Sequence, residues 1–171
     1  MSSLRIGCDL CQVNVIEQML KEQDGSLERL FNAQEREYAM AQGNPAHHLA
    51  GVFAAKEALA KALKQPGLLG TYNKEVTIGH QSDGAPTLRL SGGLSAAFAE
   101  QGIRIADLSI SHDGDYAMAA VVVEGAGPLK CHRCHLSLEY LSEQKIADVL
   151  LEGRDKEGFV RYLCPVCLRG W

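Results

Sequence analysis

Apolar positions recur with a helical period in the middle of the chain and with a strand period on either side of it. Residues 49–63, LAGVFAAKEALAKAL, place Leu49, Val52, Phe53, Lys56, Ala60 and Leu63 on one stripe. Ala50, Ala54, Glu57 and Lys61 make an adjacent stripe, so a carboxylate and an ammonium stand one turn apart on a face otherwise kept small by alanine. Ala, Leu, Lys and Glu favour helix, and Asn44-Pro45 supplies a cap followed by proline at the first helical position. Taken alone, Glu57 and Lys61 read as a solvated i,i+4 ion pair contributing about 0.2–0.5 kcal/mol.

The flanking segments predict an α+β domain. Residues 4–10 form a short strand in which Gly7 suits close backbone approach. Asp9 lies in or at the end of it, and aspartate is depleted in strands, so a turn, a helix cap or a cation is expected to hold it there. Val13, Ile16, Met19 and Leu20 follow helical spacing until Asp24-Gly25-Ser26. Leu27, Leu30 and Phe31 ride on a turn or short helix, and Asn32 caps a helix through residues 35–41. Residues 65–70 read as a loop, 75–78 and 87–90 as a hairpin around Ser82-Asp83-Gly84, and Ser91 as the cap of a helix over 93–101. Residues 105–112 and 116–124 are strands joined at Asp113-Gly114, and the Ala-Val run of the second predicts burial on both faces.

Charge and composition narrow the function classes. The chain has 171 residues, 46% of them hydrophobic and 22% charged, as in an ordinary soluble globular protein. A net charge of −4 argues against a general nucleic-acid binder. No apolar run approaches the roughly 20 residues needed to span a bilayer, and no hydrophobic signal region follows Met1-Ser-Ser-Leu-Arg. A cytoplasmic, non-membrane protein is expected. Six cysteines in such a protein read as metal ligands or buried thiols.

Four of the cysteines lie beyond Gly125-Ala126-Gly127-Pro128, which reads as a linker at 125–128 between a first domain, 1–124, and a small second one, 129–171. Cys131-His132-Arg133-Cys134 and Cys164-Pro165-Val166-Cys167 are two C-x₂-C knuckles, which together can complete a tetrahedral site. Four sulfur ligands favour structural zinc, with iron as the alternative and His132 or His135 as substitutes for one ligand. The competing reading is a set of free thiols, but so short a segment needs a staple to fold. Cys8 and Cys11 share the spacing but lack a second pair, and are expected to be buried thiols.

Four pieces in fixed order carry a resemblance. They are Gly7-Cys8-Asp9, the central LAGVFAAKEALAKA, Asp83-Gly84-Ala85-Pro86 and Ser109-Ile110-Ser111-His112. Over about residues 4–124 the chain resembles the 4′-phosphopantetheinyl transferases, in their short holo-acyl-carrier-protein synthase branch, with a zinc-ribbon-like extension outside the family core. The resemblance implies transfer of the phosphopantetheine arm of coenzyme A to a serine of an acyl carrier protein. It further implies magnesium held by Asp9 and Glu57, Lys61 contacting the phosphate or the reacting groups, His112 contacting coenzyme A, and a homotrimer with the coenzyme A site between protomers. The residue types suit that chemistry: magnesium takes one or two carboxylates plus phosphate oxygens and water, and a lysine offsets charge on the phosphate under attack. The serine proton would pass to a metal-bound water or to Glu57. Lys56, on the apolar stripe, is expected to be a snorkelling structural residue outside the catalytic set.

The chain departs from the family pattern at three points. Val52 stands where an arginine is common, Lys64-Gln65-Pro66-Gly67 replaces a glycine-rich turn, and the segment before the central helix is acidic, with Glu17, Glu22, Asp24 and Glu28. A specialised transferase for an unusual carrier protein accounts for these changes, as does a member that has lost activity while keeping its metal carboxylates; the presence of Asp9, Glu57 and Lys61 favours the transferase. The alternative is a non-catalytic interaction module of the same fold whose zinc ribbon binds a partner. A nucleic-acid-binding ribbon using Arg133, Lys145, Arg154, Arg161 or Arg169 is a distant third.

Overall fold

Strand β1 (Ser3–Gln12) alternates strictly. Gly7, Asp9 and Cys11 turn toward the protein, while Leu4, Ile6, Cys8 and Leu10 face outward. It pairs antiparallel with β5 (Tyr116–Gly125), which pairs on its other edge with β4 (Arg104–Asp113), giving the order β1-β5-β4. The β4–β5 hairpin turns at Gly114, whose φ of 52° is left-handed, and a bulge at Ala106 shifts the register. These features come from the computed structural model, which describes residues 3–22, 24–65, 68–100 and 102–125. The expected second domain, with Cys131, Cys134, Cys164 and Cys167, lies outside the described residues, as does all of the expected linker except Gly125, which ends β5 opposite Ser3.

The central helix, α4 (Pro45–Ala62), lies on the inner face of this sheet against β1 and β5. Leu49, Ala50, Ala54, Ala58 and Leu59 of the helix and Ala117, Ala119, Val121 and Val123 of β5 are buried. The small side chains let helix and sheet approach closely. Gly7 is required there, because a Cβ on it would collide with the Ala58 carbonyl oxygen and the Ala62 nitrogen. The outer face of β5 is different: Tyr116 and Met118 are exposed, so burial on both faces, expected from the Ala-Val run, is not seen within one chain.

Three short helices and a hairpin close the other side of α4. Helix α1 (Val13–Glu22) buries Val13 and Ile16, and α2 (Ser26–Leu30) leads into α3 (Ala33–Met40). Asn32 caps α3 reciprocally with Glu35, its side chain accepting from the Glu35 nitrogen at 2.9 Å while the Glu35 carboxylate accepts from the Asn32 nitrogen at 2.9 Å. Residues 68–70, expected to belong to the loop over 65–70, instead open helix α5 (Leu68–Tyr72), which buries Leu68, Leu69 and Tyr72. A 3₁₀ turn (Asn73–Glu75) precedes the hairpin of β2 (Val76–His80) and β3 (Pro86–Leu90). Helix α6 (Gly92–Glu100) follows, capped by the Glu75 carboxylate, which accepts from the Leu94 nitrogen at 2.7 Å. Ser91, expected to be that cap, donates instead to the Glu75 carbonyl.

Lys56 does not snorkel: its side chain is 1% exposed. Its ammonium donates to Glu35 Oε2 at 2.7 Å, to Asn73 Oδ1 at 3.0 Å and to the Leu30 and Asn73 carbonyls at 3.1 Å. The Ile78 nitrogen donates to Glu35 Oε1, so the pair joins α4 to α3, β2 and the 3₁₀ turn. Burial pushes the Lys56 ammonium down from its usual range and the Glu35 carboxylate pushes back. Leaving either partner alone in this site would cost about 3–5 kcal/mol.

Candidate active site

Asp9 reaches the helix because Gly7, two residues earlier on the same face of β1, lets α4 settle against the strand. Its carboxylate Oδ1 lies 2.6 Å from Lys61 Nζ. Glu57, one turn before Lys61, shares the neighbourhood: burial and the Asp9 charge raise its carboxyl above the usual range, while Lys61 opposes them. The hydrogen bond that Lys61 donates to Asp9 raises its ammonium in turn. Asp9 is thus held by an ion pair rather than by a role as helix cap.

Asp9 on the strand and Glu57 on the helix are the two carboxylates that could hold a cation, and the Asp9 charge is felt at Glu57. Asp9 and Glu57 offer the hard oxygen donors that would hold magnesium. Among the described residues no group of three or more His, Cys, Asp and Glu side chains could hold a metal ion. Cys8 and Cys11 do not converge, since a spacing of three puts them on opposite faces of the strand. Cys11 is buried, with its thiol pushed up to about 11 by burial and the Asp9 charge, whereas Cys8, expected to be buried, is exposed.

His112 is not gathered with these groups. Its ring lies over the α4 backbone at Gly51, where a Cβ would stand 2.9 Å from Nε2, and Nε2 is 3.0 Å from the His47 carbonyl oxygen. Gly51 precedes Glu57 by six residues, about 9 Å of helix rise. Around His112 the fold brings His47, His48, His80 and Tyr38, none singled out from the sequence. The only local signal was His47 standing one turn before Ala50 on the stripe that carries Glu57 and Lys61.

Comparison with known proteins decides the family. The model of the 4′-phosphopantetheinyl transferase superfamily matches residues 5–121. The chain belongs to that superfamily. Within it the chain falls in the holo-acyl-carrier-protein synthase branch, and it is a transferase. It is 39% identical over 120 residues to the holo-[acyl-carrier-protein] synthase of Caldanaerobacter subterraneus, covering 70% of this chain and 94% of that one. It is 40% identical over 122 residues to the Trichlorobacter lovleyi synthase, covering 71% and 97%. In structure it is similar to the Chronobacterium ammoniagenes synthase–coenzyme A complex, with TM-score 0.64, 30% identity, and 73% of this chain and 99% of that one covered. The phosphopantetheinyl-transferase fold therefore occupies the described unit.

Proposed function

We propose that the chain transfers 4′-phosphopantetheine from coenzyme A to a serine of an acyl carrier protein, with magnesium on Asp9 and Glu57. The observation that carries this reading is the meeting of Asp9, Glu57 and Lys61 on one face. The synthase relatives support transfer over a non-catalytic scaffold, and the solved coenzyme A complex supports the donor. When bound, the magnesium ion would neutralise charge on the pyrophosphate oxygens. The serine oxygen forms a bond to the β-phosphorus, the bond to the bridging oxygen breaks, and adenosine 3′,5′-bisphosphate leaves. Lys61, 55% exposed, is free to turn from Asp9 to the non-bridging oxygens. Glu57 is the proton acceptor this chain offers to the serine.

Calorimetric titration with coenzyme A, with and without magnesium, tests the reading together with the mass gain of a carrier protein. Magnesium-dependent binding and a gain of one phosphopantetheine are expected, and Glu57→Gln should abolish both. Binding without any transfer to a panel of carrier proteins would return the scaffold alternative.

Two further parts of the reading rest on other observations. The outward residues Leu4, Ile6 and Leu10 of β1, 70%, 71% and 60% exposed, continue through Met118 of β5 as an apolar face that suits other copies of the chain in a homotrimer. Light scattering should give three chains for wild type and one for Ile6→Asp. The spacing of Cys131, Cys134, Cys164 and Cys167 supports one structural zinc, checked by metal content of the full chain against Cys131→Ser.

A further inference from the structure

One carboxylate, Asp9, has two claimants. Lys61 lies in the last turn of α4, and its Nζ donates to Asp9 Oδ1 at 2.6 Å. The Asp9 side chain is 15% exposed against 55% for Lys61, so the ammonium comes to the carboxylate from the solvent side. The lysine charge also reaches Glu57, where it opposes the charge of Asp9. A single ammonium thus offsets two carboxylates that would otherwise repel each other across the contact of strand and helix.

A divalent ion asks for the same carboxylates. Magnesium demands a near-octahedral shell of oxygens at about 2.0–2.1 Å and loses its waters reluctantly. An ammonium hydrogen-bonded to one of its carboxylate ligands crowds that shell and sets a positive charge beside a double one, so each cation weakens the hold of the other. The lysine is the one able to leave. Its charge rides on a flexible four-carbon stem, and exposed pairs of this kind are weak because water screens them. Lys56, five residues earlier, has no such freedom, since Glu35, Asn73 and the Leu30 carbonyl enclose its ammonium.

We propose that Lys61 is the resident counter-ion of the metal carboxylates: its ammonium holds Asp9 until a divalent cation displaces it, and the displaced ammonium passes to the pyrophosphate that arrives with the metal. This rests on the magnesium and coenzyme A reading above. Metal binding alone works against the lysine, whereas metal and pyrophosphate together give both cations an anion. The site therefore fills in concert, and an ion without substrate is held weakly. By reciprocity coenzyme A raises metal affinity by the factor that metal raises coenzyme A affinity, and part of that coupling runs through this one side chain.

The test is titration of manganese(II), which shares the octahedral oxygen preference of magnesium, into the full chain, with the free ion read by electron paramagnetic resonance. Wild type, Lys61→Met, Lys61→Arg and Lys64→Met are compared, with folding checked by thermal unfolding. Lys61→Met should bind the ion about threefold or more tighter than wild type, although it removes a catalytic group. Lys61→Arg keeps the charge and the reach, and Lys64→Met removes an exposed charge three residues further on, so both should stay within about twofold of wild type. With saturating coenzyme A, and the manganese binding of free coenzyme A subtracted, wild type and Lys61→Met should converge to within about twofold, because the lysine has by then moved to the phosphates. A smaller rise in Lys61→Met, or a larger one in either control, overturns the exchange and leaves the magnesium reading standing. A gap that persists under coenzyme A does the same, since Lys61 then only repels the ion. No manganese binding by any of the four proteins, with or without coenzyme A, overturns the magnesium reading and the exchange together.

Discussion

Two lysine–carboxylate pairs lie five residues apart on α4 and have almost the same length, 2.7 Å for Lys56–Glu35 and 2.6 Å for Lys61–Asp9. Their surroundings make them opposites. Lys56 and Glu35 are sealed, the ammonium also donating to Asn73 and to two backbone carbonyls and the carboxylate also accepting from the Ile78 nitrogen, so neither side chain can move without stranding a buried charge. Lys61 is more than half exposed, and water screens its attraction to Asp9, so the contact is cheap to exchange for another anion. One pair holds the helix in place, and the other is available for chemistry. Distance alone does not distinguish a structural ion pair from a reactive one; desolvation and the supply of further partners do.

The comparison breaks most visibly at Lys56. Lys56→Ala should lower unfolding free energy by about 3–5 kcal/mol, read as a shift in urea midpoint, and a loss below about 1 kcal/mol would remove the distinction between the pairs. At Lys61 the ledger is reversed: Lys61→Ala should slow phosphopantetheine transfer about 10²–10³-fold while stability stays within about 1 kcal/mol. Replacing both buried partners sharpens the contrast, because Lys56→Met/Glu35→Leu should recover most of the single-variant loss and end within about 1–2 kcal/mol of wild type. A third lysine, just past the end of this helix, acts through neither burial nor charge. Lys64 sits at φ 55° in the turn that ends α4, where Gln65 donates to Ala60 and Lys64 to Lys61, so Lys64→Gly should raise stability by about 1 kcal/mol in thermal unfolding.

The smallest effect concerns the half-buried imidazoles, which stand between the two extremes. His48 and His80 have folded-state values below their unfolded ones, so the unfolded chain binds protons first as pH falls. Their contribution to stability is present above the ordinary histidine value of about 6.5 and is lost as pH falls toward the lowered folded values. The melting temperature should therefore fall on acidification below that point, and His48→Gln should flatten the fall.

How much of this was readable in advance depended on the range of each interaction. The Asn44-Pro45 start of α4, the Asn32 cap with Glu35 three residues on and the two hairpins follow from neighbours or from backbone geometry. The family resemblance implied that Asp9 and Glu57 share a site, but the ion pair of Asp9 with Lys61, 52 residues apart, was not expected. Three partners could not be read locally: Glu75 as the cap of α6, Glu35 as the counter-ion of Lys56, and His80 as a neighbour of Tyr38. Each depends on two segments that the fold alone brings together.

The sequence by itself determined the helical stripe of Glu57 and Lys61, the alternation of β1 and the family. Short-range periodicity and caps act through bonds a few residues long, so they survive without tertiary context. Only the tertiary structure decided that Lys56 is sealed while Lys61 is exposed, that the Ala-Val strand buries one face, and that the described histidines converge. Burial is a property of what covers a residue, and here the covering segments come from distant parts of the chain.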